Sequence, residues 1–218
     1  MTAKKPIWYI YGSGGLGLET MDILTKNIRS KTVEDHECMF IVDNVTDRHI
    51  NGCRVVDFQE AVVGSKITIA VGEPKTRSDL REKIVNKNLV LSSIISDTAF
   101  VSDSATIARG AIIAPFASIQ AQAIIGENVA VNTQAIIGHH VKLLDGSVIS
   151  SQVNLGGNCH VGEQSYIGMG ALIREKVLIG NQSIVGMGSV VYRDIPDGVI
   201  ALGNPARVAK KNEDKKVF

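Results

Sequence analysis

Cysteine is scarce in this chain. Cys38, Cys53 and Cys159 are odd in number and show no C-x-x-C spacing. That excludes a disulfide framework and a cysteine zinc site, and it fits a reducing, cytoplasmic setting. Charge of one sign is also lacking: the formal net charge is +1, with no basic face to neutralise phosphates, so no nucleic acid partner is expected. No apolar run approaches the roughly 20 residues of a membrane helix, so no span is expected. The run Ile7–Tyr11 is too short for the apolar region of a signal peptide. Aromatic residues make up only 5% of the 218 residues, while glycine occurs 21 times, a balance that suits tight, repeated turns more than a large aromatic core.

What the chain has in abundance is a period. Stepping in sixes from Ile95 through Ile113, Val131, Ile149 and Ile167 to Val191 meets only Ile, Val or Leu, and the residue four further on is always small or β-branched. An amphipathic helix does not generate a strict period of six. Hexapeptide periodicity reads as a parallel β-helix, with a short strand and a turn in each unit and three units in each triangular coil. The repeat gives about five to six coils, a prism roughly 25–30 Å long at the usual strand spacing. The aliphatic anchors stack inside. A solenoid needs its ends covered, and the expected covers are the N-terminal domain at one end and the tail from Tyr192 at the other.

Residues 1–90 read differently. Strand-like runs at Ile7–Tyr11, Cys38–Val42 and Lys66–Val71 alternate with helical patterns after Leu18 and over Thr76–Lys87, which indicates a small parallel α/β domain of Rossmann-like kind. Asp57 with Glu60 predicts a short helix over Phe58–Val63. The β-helix is expected over 91–196 and a polar, solvated tail over 197–218.

Gly12, Gly14 and Gly17 form G-x-G-x-x-G between a strand and a helix. Glycines there let a backbone approach a diphosphate seated on the helix N-terminus. Asp43, at the end of the next strand, is placed to accept bonds from a ribose or base, and Arg77 to pair with phosphate. One small sheet is half a dinucleotide fold, so a mononucleotide or nucleoside diphosphate is the more economical ligand; a turn that only packs helix on strand is the plainer alternative.

In the solenoid, His139 and His140 follow the inward anchor Ile137, and one coil on from His139 stands Gly157. An imidazole base beside an exposed backbone N–H donor is what acyl transfer needs. Two inert surface histidines are the alternative. His160 is not a whole coil from either, no chelating pair is present, and no metal is expected.

The combination of IYGSGGLG, IVDN and VGEPKTR with the hexapeptide array, IIGHHV and the terminal GNPAR resembles the bacterial sugar acyltransferases of the left-handed β-helix superfamily. Nearest are those that N-acetylate nucleotide-linked 4-amino-4,6-dideoxy sugars in di-N-acetylbacillosamine or perosamine synthesis. A sister branch O-acetylates sialic acid. The resemblance covers essentially the whole chain. It implies left-handed coils, a homotrimer with active sites between subunits, acetyl-CoA as acetyl donor, and a nucleotide sugar, UDP-linked in the first instance, as acceptor. It makes His139 the general base, with His140 beside it, and Gly157 the donor to the thioester oxygen. Met169, Met187 and Gly188 match the pantetheine groove, and Gly203 and Pro205 a coenzyme-binding C-terminal motif. Ser13, Gly14, Gly15, Asp43, Asn44, Gly72 and Arg77 match the nucleotide site. Two departures stand out: His140 occupies the position of an acidic neighbour that orients the base, and Val148 that of a second histidine. They imply that His139 acts without a carboxylate, or that positioning of an already nucleophilic amine carries much of the rate. They also give weight to a non-catalytic, nucleotide-sugar-binding trimer.

Overall fold

The computed structural model describes residues 5–45 and 48–217. A six-stranded sheet forms the first domain. Its elements are β1 (Ile7–Tyr11), α1 (Gly15–Arg29), β2 (Glu37–Val42), β3 (Arg48–Ile50), β4 (Cys53–Asp57), β5 (Lys66–Ile69), α2 (Pro74–Asn86) and β6 (Val90–Leu91). The order is β3-β4-β2-β1-β5-β6. All pairings are parallel except β3 with β4, an edge hairpin that the sequence patterns did not disclose. Hydrophobic β1 is buried along its whole length because both faces are covered. Asp57 caps as expected, its carboxylate accepting from Gln59 N at 2.8 Å, but only a single 3₁₀ turn, Phe58–Glu60, follows.

From Ile94 onward two-residue strands repeat every six residues. Each pairs in parallel with the strand 18 residues on, as Ile112 with Ala130, Ser118 with Ile136 and Ile124 with Lys142. The result is a three-faced parallel β-helix. The second residue of each strand points inward, and Ile113, Ile119, Ile125, Val131, Ile137 and Leu143 begin one continuous aliphatic core. A signal absent from the sequence reading explains the turns. Every sixth residue from Gly110 to Gly188 has positive φ, and the non-glycine occupants are mostly Gln and Asn; of these Asn is a residue that adopts the left-handed region readily, while at the Gln positions the coil imposes it. His140 occupies another such position, at φ 58°.

The N-terminal domain does not cap the end of the prism; it lies along one face. On that face the outward residues Ile94, Ile112, Ala130 and Val148 are themselves apolar and buried against Met21, Leu24 and Ile10. A face with apolar residues on both sides must be covered, and a sheet-and-helix layer covers it better than a prism end does. At the C-terminal end the expected cover is present. The strand Val199–Gly203 extends the first face in parallel from Ile184–Val185 and pairs with Ala206–Lys211 as an antiparallel hairpin. The tail after it is anchored rather than free: Asn212 N donates to Gly198 O, and Val217 N to the Glu73 carboxylate at 2.8 Å. No helix among the described residues is long and apolar enough to cross a membrane.

Candidate functional site

Three parallel strands bring the predicted nucleotide residues to one edge. The loop Gly12–Gly15 follows β1, Asp43 and Asn44 follow β2, and Gly72 follows β5. Because β1 is flanked by β2 on one side and β5 on the other, this edge is the topological switch point of the sheet, where open α/β folds bind ligands. The glycines divide the labour. A side chain at Gly17 would collide with the Gly12 carbonyl, and Gly12 itself adopts φ 109°; Gly14 and Gly15 face open space. The first pair shapes the turn and the second is left free to approach a ligand. Helix α1 starts with no side-chain cap and no acidic residue in its first turn, so its positive pole is uncompensated.

Asp43 is less available than its position suggested. Its carboxylate accepts from Tyr11 Oη at 2.6 Å and is ion-paired with Lys83. Partial burial pushes its carboxyl up, but the bonds from Lys83 and Tyr11 outweigh that and hold it below the usual carboxylate range.

Arg77 corrects the sequence reading outright. It is 0% exposed. Its guanidinium donates five bonds: two to Asn128 O at 3.0 and 2.8 Å, one to Asn128 Oδ1 at 2.8 Å, one to Ile69 O at 2.7 Å and one to Val71 O at 3.0 Å. Burial pushes its pKa down to about 9, which leaves it charged at neutral pH. Arg77 reaches no phosphate; it fastens α2 to a corner of the β-helix, next to the Arg81–Glu127–Arg109 ion-pair chain.

The catalytic candidates meet as the 18-residue coil requires. His139 and Gly157 lie one above the other on the corner between the second and third faces, and a Cβ built on Gly157 would overlap the His139 ring at Cε1 and Nε2. Gly157 N donates to no backbone carbonyl among the described residues, whereas its carbonyl accepts from Lys176 N. His140 supplies what the missing carboxylate does not: its Nδ1 lies 3.1 Å from His139 Nδ1, with the rings edge-on at 89°. One nitrogen of that pair donates and the other accepts. With the proton on His139 Nδ1, its Nε2 is left as the free acceptor over Gly157. Val148 takes no part here. It is 1% exposed in the seam with the N-terminal domain, on the face opposite this corner.

Met169 and Met187 stack on a different corner, in line with Thr133, and both are exposed. Gly188 sits beside Met187 with φ 65°. Leu16, at the start of α1, borders a cavity of about 390 Å³ whose far wall is Ala114, Pro115, Phe116 and Thr133 of the same corner. Gly203 and Pro205 lie in the tip of the C-terminal hairpin, where Gly203 N donates to Ser189 Oγ at 3.1 Å. Within one chain the start of α1 thus borders the same corner of the prism that carries the methionines further along, and His139 meets Gly157, but the second face separates the two corners. That face carries a groove of about 320 Å³ lined by Gly156, Leu172, Arg174, Val190 and Tyr192, residues the motifs missed. Its signal was legible: Ile136, Leu172 and Val190 occupy outward positions yet are apolar.

No protein-family model matches the chain. The GDP-perosamine N-acetyltransferase of Escherichia coli O157:H7 is 29% identical over 94% of this chain and 97% of its own length. The acetyltransferase domain of PglB from Neisseria gonorrhoeae FA1090 superposes with a TM-score of 0.86 at 31% identity, covering 93% of this chain and 99% of that one; it is also solved in complex with acetyl coenzyme A. A histidine-to-asparagine mutant of perosamine N-acetyltransferase from Caulobacter crescentus, in complex with CoA and GDP-perosamine, superposes with a TM-score of 0.83 at 26% identity over 94% and 97% of the two chains.

Proposed function

The chain belongs to the hexapeptide-repeat sugar N-acetyltransferases of perosamine and PglB type, and from that premise we propose that it moves the acetyl group of acetyl-CoA onto the 4-amine of a nucleotide-linked 4-amino-4,6-dideoxy sugar. The observation that carries this reading is His139 Nε2 poised over the Gly157 backbone. The neutral amine attacks the thioester carbonyl; Gly157 N–H steadies the oxyanion; His139 Nε2 takes the proton from nitrogen as the CoA thiolate departs. His140 keeps His139 in the right tautomer. A neutral imidazole orients a base but stabilises the resulting cation less than a carboxylate would, and an amine tolerates that better than a hydroxyl does.

The half-sites call for a second copy. His139 stands a face away from the glycine loop and the methionine corner of its own chain, and the intervening and adjoining faces expose Phe100, Ile124, Leu172 and Leu178. Packing prisms side by side as a homotrimer covers these residues and sets the His139 corner of one protomer against the methionine corner of its neighbour. Met169 and Met187 then border the pantetheine, and Gly203 and Pro205 the coenzyme's far end.

Thiol release from acetyl-CoA, with a panel of UDP-, GDP- and dTDP-linked 4-amino sugars and sialic acid, tests the reading. Release with one amino sugar is the expected result. UDP is the first expectation for the carrier; GDP is the second, favoured by the perosamine relatives. Release with sialic acid alone would move the chain to O-acetylation, and coenzyme-free binding of nucleotide sugar without turnover would support a scaffold.

Gly157→Ala tests the catalytic pair. The backbone at Gly157 suits any residue, so the added methyl acts on the His139 ring. A displacement of about 1 Å is expected to lower kcat roughly 10²-fold, with the melting temperature little changed. Wild-type kcat in this variant would separate Gly157 from the chemistry.

A further inference from the structure

We propose that Arg48, at the head of the β3–β4 hairpin, is the cationic clamp on the substrate's diphosphate. The inference rests on the reading of the glycine loop as the nucleotide-sugar site. Arg48 is exposed, and its Nη2 donates to Ser13 Oγ at 3.3 Å, 35 residues away in sequence. Among the described residues no carboxylate pairs with it. The hairpin therefore holds a guanidinium against a loop that offers it only a neutral hydroxyl, at a distance long for such a bond.

The other cations of this edge are committed. Arg77 is sealed against Asn128, and Lys83 is paired with Asp43. Backbone donors at Gly14 and Gly15 and the uncapped start of α1 favour an anion at the same spot. A nucleotide sugar carries one negative charge on each of two adjacent phosphates. The planar fork of an arginine matches two phosphate oxygens, which a lysine does not. Ser13 Oγ occupies in the free protein the place that a phosphate oxygen takes in the complex. Arg48 lies on the edge strand β3 and reaches the loop that opens α1.

Calorimetry with UDP, GDP, uridine and guanosine tests this on the full chain, alongside steady-state kinetics with the active amino sugar. For Arg48→Ala, Kd for the diphosphates and KM for the nucleotide sugar are expected to rise about 10- to 100-fold, the range of a charge-assisted hydrogen bond. Saturated kcat, KM for acetyl-CoA and the weak binding of the nucleosides are expected to stay within about twofold on the same argument. Arg48→Lys is expected to recover only part of the affinity. Diphosphate binding by Arg48→Ala within twofold of wild type would overturn the clamp and leave the glycine-loop site standing. An equal loss for nucleosides and diphosphates would overturn it too, pointing to a role in shaping the loop. Wild-type protein that binds neither diphosphate would overturn the glycine-loop reading itself, and the clamp with it.

Discussion

Replacing His139 with asparagine is expected to lower kcat for acetyl transfer by about 10²- to 10⁴-fold, the usual worth of a positioned general base, with KM for both substrates changed far less. The reason is geometric. His139 projects from a corner whose backbone is fixed by Asn158 N donating to its carbonyl at 2.9 Å and by the aliphatic stack beneath, so the substitution removes a proton acceptor without moving the groove. His140→Asn is expected to give a smaller loss, because an amide can still accept from His139 Nδ1. His140→Leu removes that acceptor and should fall between the two. Initial rates of thiol release across pH read all three. A His139→Asn enzyme with wild-type kcat throughout would show that approximation alone carries the reaction.

The second large effect is on stability. Arg77→Met is expected to destabilise the fold by about 4 kcal/mol or more, since orphaned buried acceptors cost at least about 1 kcal/mol each. Four lose their donor: Asn128 O, Asn128 Oδ1, Ile69 O and Val71 O. For a chain of this size that corresponds to a fall in Tm of roughly 10 °C. Asn128→Ala breaks the same bridge from the β-helix side, and its Nδ2 also donates to Arg77 O at 3.0 Å. The double variant is therefore expected to cost clearly less than the sum of the two single ones. Thermal melting followed by circular dichroism measures all three, and additive losses would mean that the two side chains contribute independently. Diphosphate affinity, measured below the melting transition, should be unaffected by Arg77→Met, because the side chain never reaches the ligand edge.

The sequence by itself determined the β-helix and half of its chemistry. A strict period of six leaves one way to bury Ile113, Val131, Ile149 and their equivalents, and three units per coil place His139 over Gly157 with no further information. The G-x-G-x-x-G loop was equally legible, because its spacing is tied to one strand, one turn and one helix. Periodicity and local turns are short-range properties, and each residue's neighbours along the chain encode them.

Only the tertiary structure decided where the two domains meet. Arg77 looked like a phosphate ligand since it stands at the start of a helix near the binding edge, and whether such an arginine faces solvent or a neighbouring domain depends on what docks there. Ile112, Ala130 and Val148 drew the N-terminal domain onto a face rather than an end, which buried Arg77 against Asn128. That docking also puts the glycine loop a face away from its own chain's His139, whereas the contacts of Arg48 with Ser13 and of His140 with His139, through a left-handed corner residue, arise inside each domain. These are contacts between residues tens of positions apart or on a turn whose handedness only the coil imposes. They follow from the free energy of covering apolar surface over the whole molecule, which no local pattern records.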